Sequence, residues 1–151
     1  MRRKITRHGA EFRPWTPPRY SLARDVVKQQ SVMMTNGTED GKPTSLAEAV
    51  EILRSTYPQD QLDAWAAEPL SEALWKAHFQ LGLWIRNEWV HTGPAPFVRR
   101  MRRLFFFVHD DDVSGYVLEA LWRVLNGEDC PTIEELLERR YPGCRREPSE
   151  E

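Results

Sequence analysis

Apolar residues recur at helical spacing from Ser45 onward, and no run of strand length alternates between apolar and polar residues. Residues 45–48 (SLAE) and 132–135 (TIEE) both have the form of a capping box, which is typical of a helix start. Asn126-Gly127 is typical of a helix end. We therefore predict an all-α fold: a small compact domain of about five or six helices with a mostly irregular N-terminal arm.

Turn and capping signals set the expected helix boundaries. Ser71 is the expected cap of the central helix, Asp110 the expected first helical residue of the following long helix, and Pro142 lies just beyond the last. The expected helices cover residues 45–57, 62–66, 71–90, 96–106, 109–125 and 132–141.

Charge divides the chain near residue 45. The first 44 residues carry nine Lys/Arg against four Asp/Glu, whereas the formal net charge of all 151 residues is −2. We interpret residues 1–44 as a basic, proline-rich, mostly disordered arm, 45–143 as the helical domain and 144–151 as a charged tail. Three aromatic residues in the arm, Phe12, Trp15 and Tyr20, could anchor one stretch of it to the body.

Composition excludes several classes of protein. No apolar run approaches the ~20 residues that span a bilayer, and the basic start lacks the apolar segment of a signal peptide. We therefore expect a cytoplasmic protein with no membrane role. Cys130 and Cys144 are too few for a disulfide scaffold or a Cys-rich zinc site, and we expect both to be unpaired thiols.

The expected central helix is apolar over most of its circumference. One stripe contains Leu74, His78, Leu81, Ile85 and Trp89. A second, adjacent stripe consists of Trp75, Phe79, Gly82 and Arg86. Such a helix is predicted to be buried on several sides. A glycine inside it costs ~1 kcal/mol relative to alanine, so Gly82 indicates close approach by another group.

Polar groups at apolar positions are the candidate functional residues. His78 and Arg86 lie in the apolar stripes, and Ser114 lies on the apolar side of the helix expected at residues 109–125. The acidic run 110–112 begins that helix, where carboxylates are favoured by free amides and the helix dipole. The full candidate set for a pocket or a structural motif is His78, Arg86, Asn87, His109, Asp111, Asp112 and Ser114.

Two segments carry a family resemblance. Residues 78–87 (HFQLGLWIRN), followed by 109–115 (HDDDVSG), resemble a bacterial domain family of unknown function. Members of that family carry a Leu-Gly-x-Trp-Ile-Arg-Asn segment and then a His-Pro-Asp-Asp-x-Ser-Gly segment. This chain has Asp110 where the family often has proline. The resemblance implies a compact α-helical module and no particular reaction.

Each candidate has a structural and a functional interpretation. Arg86 is expected within hydrogen-bonding reach of Asp111 or Asp112, either pinning two helices together or clamping an anion. His78 is expected to be a core histidine that donates to a backbone carbonyl. A divalent metal bound by histidines and aspartates matches no established spacing. Ser114 as a nucleophile with His109 as its base is weaker still, because no strand–turn–helix elbow surrounds the serine.

A second candidate surface is basic. Arg99, Arg100, Arg102 and Arg103 lie on a short amphipathic helix, which is either a solvated face or a contact for RNA or DNA phosphates. Our leading hypothesis is a non-enzymatic interaction module that binds an unidentified protein and needs no cofactor or metal. The alternatives are a nucleic-acid-binding accessory protein that uses the arm and this basic face, and an enzyme or anion-binding domain with a His/Asp/Arg pocket.

Overall fold

The protein is all α-helical in the part that the computed structural model describes, residues 41–105 and 108–145. These residues form six helices and no strand; a single isolated β-bridge joins Phe105 to Arg145. Helix α3 is one continuous helical run made of the successive segments Leu70–Ala77, His78–Gly82, Leu83–Ile85 and Arg86–His91. The other five are α1 (Leu46–Thr56), α2 (Gln59–Ala66), α4 (Pro96–Leu104), α5 (Asp110–Leu125) and α6 (Ile133–Arg140).

Capping chemistry begins α1 and α6, and one of the two predicted capping boxes is complete. Thr132 accepts from the amide of Glu135, and the Glu135 carboxylate accepts from the amide of Thr132. Ser45 accepts from the amide of Glu48 as predicted, but the Glu48 carboxylate accepts from Thr44 instead of from Ser45. The start of α1 is therefore capped by two residues of the preceding turn.

The prediction that Ser71 caps α3 is wrong. The helix begins one residue earlier, at Leu70, after Pro69, and its start has no side-chain cap. Proline has a fixed φ and the residue after it enters the helix directly, so the turn itself sets the boundary. The other helix starts agree more closely: α5 begins at Asp110 as expected, and its end has Gly127 at a φ of 83°. Helix α4 ends at Leu104, two residues before the predicted end.

Helix α5 is the centre of the domain. It packs against α1, α2 and α3, and its buried residues include Val113, Val117, Leu118 and Leu121. Between α3 and α4, the rings of Trp89 and Phe97 meet edge to face and are completely or almost completely buried. The largest buried side chains are Trp89, Phe97, Phe105, Ile52, Leu53, Ile85, Met101, Leu118, Leu121, Leu137, Val98 and Val113.

The predicted all-α class is confirmed. The predicted N-terminal arm lies almost wholly outside the described residues, so its interpretation stays a prediction, as do the domain boundaries. Within the described residues no helix is long and apolar enough to cross a membrane. Cys130 is half-buried and Cys144 is exposed, and both are unpaired.

Candidate functional site

Helix α3 contains two π-helical segments. Residues His78–Gly82 and Arg86–His91 are π-helical, and the three residues Leu83–Ile85 between them are α-helical. A π turn contains one more residue than an α turn would, so it rotates the side chains that follow it around the helix axis. Arg86 and Gly82 therefore lie where the winding changes, on the side of α3 that meets α5.

Arg86 is buried and each of its three guanidinium nitrogens has a partner within the protein. Only 6% of the residue is exposed. Nη1 donates to Ser114 Oγ at 2.7 Å, Nη2 donates to the His78 carbonyl at 3.2 Å, and Nε lies 3.2 Å from Asp111 Oδ1. Ser114 Oγ in turn donates to the Asp111 carbonyl at 3.0 Å. We call this group, Arg86, Asp111, Ser114 and the His78 carbonyl, the polar junction.

Gly82 makes room for the polar junction. A Cβ at this position would lie 3.2 Å from Arg86 Nη1, 3.3 Å from the Ala77 carbonyl oxygen and 3.6 Å from Leu118 Cδ1. The predicted close approach is therefore present, and the group that approaches most closely is the arginine itself. Because residue 82 has no Cβ, the guanidinium approaches the backbone of α3 closely and still reaches Ser114.

The three aspartates at the start of α5 contact three different parts of the domain. Asp110 binds Arg102 of α4 at 2.8 Å and His91 at the end of α3 at 2.9 Å. Asp112 accepts from the hydroxyl of Tyr141, just after α6, at 3.0 Å, and Asp111 binds Arg86. The predicted arginine–aspartate contact thus exists, and each aspartate of the acidic run links α5 to different residues of the domain.

The remaining members of the predicted pocket do not join the polar junction. His78 contributes its backbone carbonyl, while its half-buried ring lies edge to face against Phe79 at 4.7 Å. The expectation of a core histidine donating to a carbonyl is not met, since the described residues offer its ring no hydrogen bond. Asn87 is half-buried and its carbonyl accepts from Thr92, and His109 is exposed before α5.

The metal and nucleophile alternatives gain no support from this geometry. Asp112 is turned toward Tyr141 and not toward the histidines. Nowhere in residues 41–105 and 108–145 do three His, Cys, Asp or Glu side chains group as metal ligands would. The Ser114 hydroxyl is fully buried and occupied by Arg86 and the Asp111 carbonyl.

The basic face of α4 is partly neutralised. Arg100 contacts Glu134 of α6, and Arg102 contacts Asp110. Arg99 and Arg103 are exposed, and neither has an ion pair within the part of the chain that the structure describes. Two of the four predicted phosphate-contacting arginines are therefore used within the domain.

The most unusual surface feature is a row of exposed apolar side chains on α3. Trp75 is 68% exposed, Phe79 65% and Leu83 46%, and they follow one another at intervals of four residues. The rings of Trp75 and Phe79 meet edge to face, 5.8 Å apart. We call these three residues the apolar stripe.

The expectation that α3 is buried on several sides holds only for its C-terminal half. The buried residues there are Leu81, Gly82, Trp84, Ile85, Arg86, Trp89 and Val90. The face that carries the apolar stripe is exposed in the part of the chain that the structure describes. Sequence reasoning missed this surface because apolar residues all round a helix have the same pattern whether the cover comes from the same domain or from elsewhere. The signal was nevertheless present in the second stripe, where Trp75 and Phe79 stand beside Gly82.

An acidic residue borders the apolar stripe at its N-terminal end. Glu72 is exposed and precedes Trp75 by three residues, which places it on the same face of α3. The surface thus combines exposed aromatic rings with a carboxylate at one end.

Comparison with known proteins gives a family and no activity. Residues 42–125 match the model of a domain family of unknown function, DUF6794. No curated protein and no solved structure gives a significant match. The match begins just before α1 and ends with the last residue of α5, so it contains both the polar junction and the apolar stripe.

Proposed function

Because the chain belongs to the DUF6794 family, a domain family of unknown function, we propose from its geometry that it is a non-enzymatic module that binds another protein through the apolar stripe. The observation that carries the proposal is the exposure of Trp75 and Phe79, which are 68% and 65% exposed. Aromatic side chains are enriched at protein interfaces and supply much of their binding energy.

The chemistry of the stripe indicates the kind of partner. Two aromatic rings favour a segment with apolar or proline side chains, and the carboxylate of Glu72 favours a cationic residue beside them. The described residues as a whole carry sixteen Asp/Glu against twelve Lys/Arg, which favours a basic partner further. The proposed partner is therefore a basic protein segment with apolar anchors.

The polar junction supports a structural role beside this surface. All three nitrogens of Arg86 are engaged, and only 6% of the residue is exposed, so the guanidinium offers little to an anion from solution. The proposal thus assigns binding to the apolar stripe and leaves Arg86, Asp111 and Ser114 as supports of α3 against α5. A cytoplasmic location is part of the proposal, and the two unpaired cysteines are consistent with it.

Comparative capture tests the proposal. The tagged full chain, a Trp75→Ser/Phe79→Ser variant and an Arg99→Ser/Arg103→Ser control are incubated with lysate of the source organism, and bound proteins are quantified. All four substitutions change exposed side chains, so circular dichroism is expected to show the same fold.

We expect at least one protein that the parent and the arginine variant recover equally and that falls about tenfold with the stripe variant. If no protein distinguishes the stripe variant from the parent, the proposal is wrong. Recovery that is lost with the arginine variant and on nuclease treatment would instead support nucleic-acid binding by the basic face and would also overturn the proposal.

A further inference from the structure

We propose that the apolar stripe is occupied by residues 14–20 of the same chain until a partner displaces them, an inference that rests on the proposed function. These residues read Pro-Trp-Thr-Pro-Pro-Arg-Tyr and lie outside the described residues. The prolines, aromatic residues and arginine of this segment are the side chains that the apolar stripe would accept.

The sequence of this segment fits an aromatic surface. Pro14 and Pro17 are separated by two residues, and Pro18 and Arg19 follow directly. Prolines at this spacing favour a polyproline II conformation, which exposed aromatic residues bind at a low entropic cost because the segment is already extended. Trp75 and Phe79 supply such rings on α3.

The charges of the segment and of the surface around the apolar stripe are opposite in sign. Arg19 follows the proline run and Arg13 precedes it, while the exposed Glu72 borders the apolar stripe. An arginine at one end of a docked segment would therefore meet a carboxylate. The first 40 residues as a whole carry eight Lys/Arg against four Asp/Glu, and the described residues carry the opposite excess.

The start of the described residues lies close enough to the apolar stripe for the segment to reach it. The Lys42 ammonium donates to the Thr92 carbonyl at 2.9 Å and also to the Gly93 carbonyl, which fixes the chain at the C-terminal end of α3. Phe79 lies ~18 Å back along the helix from His91, at about 1.5 Å per residue. A random coil of roughly 20 residues, the number between Tyr20 and Gly41, has an end-to-end distance of ~25 Å, so the chain is long enough for residues 14–20 to reach the stripe.

A tether of this length makes docking within one chain effective. It gives an effective concentration of roughly 1 mM, so even a weak contact with a dissociation constant of about 0.1 mM is occupied most of the time. The same weakness allows a partner with more anchors to displace the segment. The arm then acts as a built-in competitor for the binding surface.

Fluorescence anisotropy with a labelled synthetic peptide of residues 12–22 tests the proposal on full-length proteins. The parent is compared with a Trp15→Ala/Pro17→Ala chain, whose own segment no longer competes. That chain is also prepared with Phe79→Ala added and, as the matched control, with Arg103→Ala added. A scrambled peptide serves as the control probe.

We expect the Trp15→Ala/Pro17→Ala chain to bind the peptide about tenfold more tightly than the parent, because the competing segment is removed. Adding Phe79→Ala should weaken that binding at least about tenfold, and adding Arg103→Ala should leave it unchanged.

Equal affinity of the parent and the Trp15→Ala/Pro17→Ala chain would show that the chain's own segment does not occupy the stripe. Absence of binding to every protein would show that the stripe does not accept proline-rich segments. A parent that dimerises through this segment, with dimerisation lost in the Trp15→Ala/Pro17→Ala chain, would place the segment on a second copy. Each result overturns the inference while leaving the proposed function to its own capture test.

Discussion

Arg86 is held by partners of very different exposure, and this difference decides which partner matters for stability. Ser114 is fully buried, whereas the Asp111 side chain is 69% exposed. A charged hydrogen bond inside a protein is worth about 1.5–3 kcal/mol, and an ion pair with an exposed partner only about 0–1 kcal/mol. The buried side of the polar junction therefore contributes more than the pair that sequence reasoning singled out.

We predict that Arg86→Ala lowers the free energy of unfolding by about 2–3 kcal/mol, because the variant loses the charged bonds to Ser114 and the His78 carbonyl. Asp111→Ala should cost about 1 kcal/mol or less, because water can replace an exposed carboxylate. Urea unfolding of both variants measures the difference. The reverse order would mean that the buried guanidinium depends on Asp111 for its neutralisation.

One of the contacts that Arg86 makes in the polar junction was predictable from the sequence. A guanidinium in an apolar helix needs a carboxylate, and the run 110–112 was the dense acidic segment nearby, so the contact between Arg86 and Asp111 was predictable. The bonds to Ser114 and to the His78 carbonyl were not, because they depend on the register of α3 against α5 and on the π turns.

At the scale of elements, α3 shows how one helix serves folding and binding together. Its inner side carries Gly82 and packs near Leu118 of α5, and its outer side carries Phe79 in solvent. The sequence predicted the helix to within a residue at each end, because turn residues flank a run of apolar residues at helical spacing. The changes of winding were beyond prediction, because they depend on how α3 fits its neighbour.

Gly82 of α3 and Gly115 of α5 are both helical, but they differ in the space around them. A Cβ at Gly82 meets Arg86 Nη1 and a backbone oxygen at 3.2 and 3.3 Å, whereas a Cβ at Gly115 meets nothing within 4 Å. We therefore predict that Gly115→Ala raises the free energy of unfolding by about 0.5–1 kcal/mol through helix propensity. Gly82→Ala should lower it despite the same gain, because the new methyl displaces Arg86 from Ser114.

Chemical denaturation of the two glycine variants and the parent checks this pair. Equal stabilisation by both substitutions would show that α3 and Arg86 yield to a methyl group at residue 82 without loss. The polar junction would then be more adaptable than its short distances indicate.

At the scale of the whole molecule, the domain encloses its core with six helices and leaves the outer face of α3 uncovered within the described residues. The all-α class and the family of unknown function were predictable from helical spacing and from two short segments. The family match establishes neither those two segments as family motifs nor a bacterial origin, and both stay predictions. The exposure of Trp75 and Phe79 was not predictable, because the pattern of one helix does not tell which faces find a neighbour.

Site-specific photo-cross-linking tests whether the apolar stripe contacts another protein. The photoreactive residue replaces Phe79 in one full-length chain and Ala64, an exposed residue of α2, in another. Both chains carry Trp15→Ala/Pro17→Ala, so that the segment proposed to compete for the stripe is disabled. We predict that residue 79 forms a discrete adduct with a second polypeptide in cells of the source organism, and that residue 64 does not. No adduct at residue 79 above the level at residue 64 would contradict the account.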